Sequence, residues 1–312
     1  MRAMPKDVVI LFAGQGAQKV GMAKDLAESH EPTSKLFSQA NDLLGFDLTS
    51  ATFEGPIDEL TRTSRCQPAL YLHGLSCLNI LKERLPDLNP VAAAGLSLGE
   101  FTAHAAAGTF DVETGLKLVG KRGAFMEEAT TANRGTMAAM MGGTDDAVRE
   151  LAEECDVDVA NFNAPGQIVI SGSEEGIDQA IAGAKAKGIR IAKKLEVAGA
   201  YHSRLMQTAQ DQLIPVLEEA SMKAPSIPVY CNVDARPVTD ESDIRETLAR
   251  QVSGSVRWSE SIQKLIAEGH STFLELGPGG ILAGLMKRID KSVTVIRVED
   301  LDSIDAAVTA LS

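Results

Sequence analysis

The sequence predicts an α/β protein in which a compact second unit interrupts a larger domain. Three observations lead there. Short apolar runs alternate with amphipathic stretches along most of the chain. That rhythm changes in the middle, to a strand-helix-strand-strand-helix-strand order. Finally, 312 residues that are 44% apolar supply one sizeable core, or a large and a small domain, and make disorder a poor description.

Strands are expected at 8–13 (VVILFA), 91–96 (VAAAGL), 228–233 (PVYCNV), 272–277 (TFLELG) and 293–298 (VTVIRV). Helical patterns lie between them at 69–85, 113–129 and 259–269, and neither repeats nor low-complexity tracts occur. From residue 136 the chain reads strand TMAAMMG, helix DDAVRELAEEC, strand VDVANFN, strand QIVISGS, helix EGIDQAIAGAKAKG and strand IRIAKKLEV. This β-α-β-β-α-β series is the ferredoxin-like order. The domain division follows: residues 133–198 form an insert, and 1–132 with 199–312 form the core. A cleft between the two is the expected place for a substrate.

Composition excludes several functions. Four cysteines (Cys66, Cys77, Cys155 and Cys231) are scattered without a C-x-x-C, against a disulfide framework or a zinc site and in keeping with a reducing cytosol. The apolar run 8–14 is too short to span a bilayer and runs into QGAQ rather than a cleavage site. A soluble, cytoplasmic protein without a membrane segment is therefore expected. A net charge of −13 argues against nucleic-acid binding, which depends on neutralising phosphates. Lys193 and Lys194 with Arg190 make one local basic patch, best read as a solvated strand edge.

The chemistry starts at Gly95-Leu96-Ser97-Leu98-Gly99, a G-x-S-x-G set between an apolar strand and a helix-forming stretch. Such a turn can lift a serine hydroxyl into a pocket. A helix starting at Leu98 would aim its unpaired N–H groups at that serine, with the Leu98 N–H as an oxyanion donor. On motif and context alone, Ser97 reads equally as a nucleophile and as a turn residue. A nucleophilic serine needs a base. Of five histidines, His30, His73, His104 and His270 read as structural or exposed, whereas His202 sits at a loop-to-helix junction where the insert closes. The glycine-rich turn LFAGQGAQKVGM (11–22) carries neither phosphate-loop nor dinucleotide spacing, and its backbone offers a second oxyanion donor. Arg122, in GKRGAFMEEA, would grip a carboxylate if it faced the cleft, although a surface arginine paired with a glutamate is the commoner case.

Six stretches in this order resemble the malonyl-CoA:acyl carrier protein transacylases of fatty-acid synthesis: GQGAQKVGM (14–22), GLSLGEFTA (95–103), KRGAFM (121–126), NFNAPGQIVISG (161–172), GAYHSRLM (199–206) and LARQVSGSVRW (248–258). The resemblance covers essentially the whole chain. It implies an α/β-hydrolase-like core with a ferredoxin-like insert. It also implies Ser97 as the acylated nucleophile, His202 as its base and the main-chain carbonyl of Gln251 as the support of the imidazole. By the same resemblance the N–H groups of Gln15 and Leu98 form an oxyanion hole, and Arg122 binds the malonyl carboxylate. The partners implied are malonyl-CoA and acyl carrier protein, with no metal or redox cofactor, and a monomer is expected. Tyr201 and Leu98 resemble the malonyl-selective members. Leu96 departs from the histidine many members carry before the nucleophile. Asn163 and Gln167 match the insert signature, though NAPGQ is also a good type II turn. Three rival readings remain: a free-standing polyketide acyltransferase, a serine thioesterase or hydrolase, and a non-catalytic binding protein.

Overall fold

The computed structural model describes residues 6–312. Its first strand, β1 (Lys6–Phe12), fixes where the cores lie. Val8, Ile10 and Phe12 project into one apolar cluster, and Val9 and Leu11 into another on the opposite face. A strand apolar on both sides belongs inside a parallel sheet covered by helices on each face. Accordingly β1 lies between β2 (Leu88–Gly95) and the later strand Thr272–Leu276, parallel to both.

The other strands are β3 (Thr136–Met141), β4 (Asp158–Ala164), β5 (Gln167–Gly172), β6 (Ile191–Lys194), β7 (Val229–Tyr230), β8 (Pro237–Val238), β9 (Thr272–Leu276) and β10 (Thr294–Val298). The larger sheet has the order β10-β9-β1-β2-β7-β8, with only the β7–β8 pair antiparallel. Helices Thr63–Arg84 and Val112–Ala132 contribute to the core on one face, and Trp258–Ala267 and Ile281–Ile289 to the core on the other.

The smaller sheet is antiparallel, in the order β4-β5-β3-β6. Its own core joins Ala138, Met140, Ile168 and Ile170 to Val148, Leu151 and Ile177 from helices Asp145–Glu154 and Glu174–Gly183. Met137, Ala160 and Val169 instead belong to the core cluster of the larger sheet. The chain is thus an α/β protein with two sheets. Among the described residues no helix is long and apolar enough to cross a membrane.

Three elements differ from expectation. The strand expected at 228–233 shortens to β7, because the N–H of Asn232 turns to the Glu100 carboxylate instead of a neighbouring strand. The last strand of the insert is only β6, an edge strand whose Lys193 and Lys194 are exposed, with Lys194 paired to Asp178. The helix expected from residue 69 begins at Thr63 and contains Pro68. Near the start of a helix a proline forfeits only one backbone bond, so it does not stop the element.

The turn after β2 leaves no room for side chains at its glycines. A Cβ on Gly95 would lie 1.9 Å from the Gly99 carbonyl carbon, and one on Gly99 would lie 2.1 Å from the Phe12 oxygen. The helix start is therefore packed backbone to backbone against β1 and β2. Gly99→Ala is expected to destabilise the fold by roughly 1–3 kcal/mol or more, read as a lowered thermal midpoint. An unchanged midpoint would mean that β1 and the helix separate without cost.

Candidate active site

Ser97 caps the helix Leu98–Ala106 with φ 55° and ψ −109°, a conformation that non-glycine residues rarely adopt. Strain of this kind turns the side chain out of the strand-to-helix path. His202 also has φ 55°, in the segment between the insert and the helix Gln207–Glu219. The two meet: Ser97 Oγ is 2.8 Å from His202 Nε2. On the far side of the ring, Nδ1 is 2.9 Å from the Gln251 carbonyl and 3.2 Å from that of Gly254. Carbonyls only accept, so Nδ1 carries the proton and Nε2 accepts from the serine hydroxyl. Burial, followed by the charge of Arg122, lowers the His202 pKa to about 4, against the opposing pull of the two carbonyls.

Arg122 is not a surface residue. It projects from the helix Val112–Ala132 with 1% of its surface exposed. Nη1 donates to Gln67 Oε1 at 2.8 Å, while Nη2 donates to Gln251 Oε1 at 2.8 Å and to Ser97 Oγ at 3.1 Å. The ring of Phe101 lies beneath the guanidinium at 5.4 Å. Burial lowers the Arg122 pKa to about 10, so the group stays charged at neutral pH.

Gln15, in the turn after β1, lines the cleft with Ser97 and His202, and its side chain reaches Thr63, itself 2.7 Å from the Tyr201 hydroxyl. Leu98 is buried at the first turn of its helix. Among the described residues, neither the Gln15 nor the Leu98 main-chain N–H donates to a backbone carbonyl. The cleft has a volume of about 270 Å³ and is closed on its other side by Met137, Asn161, Asn163, Gln167 and Val169 from the smaller sheet. Asn163 Oδ1 is buried there without a partner among the described residues. Leu96 also lines the cleft. The remaining histidines lie apart; His104, for example, is bound to Thr109. A larger hollow of about 620 Å³, beside Leu36 and Leu116, holds Asp42, Asp111 and Glu113 but no nucleophile.

Sequence reading finds Ser97, His202, Arg122, Gln15, Leu98 and the Gln251 carbonyl, and the structure brings them together. It misses four contributors. Gln67 holds Arg122, Gly254 supplies the second carbonyl to His202, and Asn232 and Glu100 lie beneath the turn. Asn232 accepts from the Ser97 N–H at 2.7 Å and donates to the Gly95 carbonyl at 2.8 Å. The side chain of Gln251 is a further surprise, donating to the Ser97 carbonyl at 2.9 Å and to Glu100 Oε2 at 2.6 Å. A signal for Glu100 existed, since it is the lone acid in the run LGEFTAHAAAG.

A hydroxyl bonded to a neutral imidazole, beside uncommitted N–H donors, has the parts required for acyl transfer through a serine. Residues 9–304 match the model of the acyl transferase domain, and the chain belongs to that family of enzymes. It is 41% identical over 309 residues to the malonyl CoA-acyl carrier protein transacylase of Bacillus subtilis, covering 97% of each chain. A second protein of that bacterium, a polyketide biosynthesis malonyl CoA-acyl carrier protein transacylase, is 40% identical over 289 residues, covering 91% of this chain and 97% of its own. Among solved structures, the malonyl CoA-acyl carrier protein transacylase of Coxiella burnetii superposes with a TM-score of 0.95 at 34% identity, covering 100% of this chain and 99% of its own.

The imidazole accepts a proton only while neutral. Labelling of Ser97 by a fluorophosphonate, followed by intact mass, should therefore stay level from neutral pH downwards and fall to half only near pH 4. A midpoint near the ordinary histidine value of 6.5 would contradict the burial of the ring.

Proposed function

We propose that the protein transfers the malonyl group of malonyl-CoA to the phosphopantetheine thiol of acyl carrier protein, by way of a malonyl ester on Ser97. The observation that carries this reading is a buried, charged guanidinium 3.1 Å from the serine oxygen. An acyl group ending in a carboxylate would give Arg122 the bidentate partner it lacks. The relatives named above act on malonyl-CoA and acyl carrier protein according to their names, which supports the same substrates here.

In the first half-reaction His202 Nε2 takes the Ser97 proton as Oγ attacks the thioester carbonyl. The tetrahedral oxyanion forms against the N–H groups of Gln15 and Leu98, each worth about 3 kcal/mol when well aimed. Its collapse expels the CoA thiolate, which leaves with the proton from the imidazolium. In the second, His202 takes the proton of the incoming pantetheine thiol, the thiolate attacks the ester, and Ser97 recovers its hydrogen. Two half-reactions through one covalent intermediate give ping-pong kinetics. The main-chain carbonyl of Gln251 keeps the imidazole in the tautomer both halves need. The unpartnered Oδ1 of Asn163 suits an amide N–H of the pantetheine arm.

The larger sheet supports an α/β-hydrolase-like core made of residues 1–132 and 199–312. The antiparallel order β4-β5-β3-β6 supports a ferredoxin-like insert over 133–198. No step calls for a metal or a redox cofactor, and we assign the protein to the cytoplasm as a monomer. A polyketide carrier is the second reading, favoured by the 40% identity to the polyketide relative.

Incubation with malonyl-CoA should add one malonyl group, mapped to Ser97 by peptide mass; an unmodified serine would overturn the mechanism. Arg122→Ala should lower malonyl transfer roughly 30-fold or more while relatively sparing acetyl transfer, since only malonyl offers the charge that the arginine binds. Equal losses for both substrates would remove Arg122 from the carboxylate site.

A further inference from the structure

We infer that Glu100 is a positioning residue for this acyl transfer, the single acceptor through which nucleophile, base and carboxylate-binding arginine are held in common register. The inference rests on the acyl-transfer reading above, and adds to it a residue that makes no contact with the substrate. Ser97, Asn232 and Gln251 come from three separate parts of the chain. Glu100 Oε2 joins two of them directly, accepting from the Asn232 N–H at 3.0 Å and from Gln251 Nε2 at 2.6 Å.

Each of those two residues passes the constraint on. Asn232 takes the Ser97 N–H and gives to the Gly95 carbonyl, holding both limbs of the turn that keeps Ser97 at φ 55°. Gln251 gives its amide N–H to the Ser97 carbonyl and its amide oxygen to Arg122, while its main-chain carbonyl holds His202. The Gln251 amide thus points its nitrogen at the Glu100 carboxyl oxygen and its oxygen at the guanidinium. A flip would set oxygen against oxygen at one end and N–H against N–H at the other. Without Glu100, the Asn232 main-chain N–H loses its acceptor and Gln251 Nε2 keeps only the Ser97 carbonyl, so the backbone that carries the Asn232 amide and the Gln251 side chain both lose a fixed point.

Glu100 has no exposed surface, and its Oε1 has no partner among the described residues. Burial pushes its pKa up to about 8, against the two N–H donors and the charge of Arg122. A buried acid is costly, and an apolar side chain of similar size would suit packing alone. Its neighbours on the helix, Leu98, Phe101 and Ala103, are such side chains. The acceptor, not the volume, is what the site uses.

Two variants of the full chain separate these terms. Glu100→Gln keeps an oxygen where Oε2 stands, whereas Glu100→Leu keeps the volume and deletes the acceptor. The leucine variant should lose about 100-fold in kcat for malonyl transfer, as expected when reacting groups shift by about an ångström, and the glutamine variant should stay within about tenfold of the parent. Malonyl-over-acetyl preference should fall in the leucine variant, because Arg122 loses its Gln251 anchor. Asn232→Ala removes the amide that Glu100 positions beneath Ser97, so added to Glu100→Leu it should cost less than the two single losses combined, since both lie on one chain of bonds to the turn. Fluorophosphonate labelling of Ser97 should slow in the same order. This labelling needs no malonyl chemistry, so failure of the substrate reading and failure of this inference are separately visible. Parent-like kcat in the leucine variant would overturn the assignment. So would equal losses in both variants that track their thermal midpoints. If the leucine variant does not fold, the glutamine variant and Asn232→Ala decide alone: inactivity of the first, or parent-like labelling in the second, refutes the role.

Discussion

A charged guanidinium sealed from water is the constraint around which the rest of the site is arranged. Moving such an ion into a protein interior costs several kcal/mol unless its donors are satisfied. The Arg122 donors on Nη1 and Nη2 accordingly meet the amide oxygens of Gln67 and Gln251 and the hydroxyl of Ser97. Two of these three acceptors are neutral amides, and the nearest acidic side chain, Glu100, is reached only through Gln251. The charge is held in place without being cancelled. It remains available to an anion entering the cleft, and its field contributes to keeping His202 neutral.

The fold explains how so many segments reach one point. Gln15 follows β1 and Ser97 follows β2, so both sit beyond the carboxyl ends of adjacent parallel strands, where α/β sheets characteristically open a binding crevice. Arg122 approaches on a helix packed along one face, and Gln251 caps the end of the helix Glu241–Arg250. His202 arrives directly after the smaller sheet, whose strands form the opposite wall. The same two sheets that bury the cores therefore also set the walls of the cleft. Exchanging a glycine at the turn would shift the backbone of β1 and the turn that carries Ser97 together, because the two are in direct contact.

What was legible in the sequence depended on distance along the chain. Strand β1 announces itself by a local apolar run, and the turn around Ser97 by five consecutive residues. The insert is visible because its element order is local too. Asn232 and Glu100 were hidden because their function lies in bonds spanning 132 and 151 residues, from a side chain to a main-chain group or an amide. Nothing in YCNVDA distinguishes Asn232 from an ordinary turn asparagine. Gln67 was obscured by the neighbouring Pro68, which reads as a boundary yet lies inside a helix. Arg122 is an intermediate case, since its residue type suggested carboxylate binding but only its burial separates that role from a surface ion pair.

Leu96 stands directly before Ser97, and its surroundings give an apolar residue there physical content. Its carbonyl oxygen lies where a Cβ on Gly14 would come within 2.4 Å, so the main chain here is fixed by contact with the turn after β1. Its side chain packs at the edge of the apolar cluster of β1, β2 and helix Trp258–Ala267, and it lines the cleft next to Ser97. With leucine at this position, His202 is the one imidazole hydrogen-bonded to the serine among the described residues. An apolar wall offers no hydrogen bond to a water molecule beside Ser97. Transfer through the proposed malonyl ester needs that ester to await a thiol, and hydrolysis needs an ordered water with partners nearby. In the proposed mechanism, leucine here supplies no such partner and leaves the Ser97–His202 pair untouched, which favours transfer over hydrolysis.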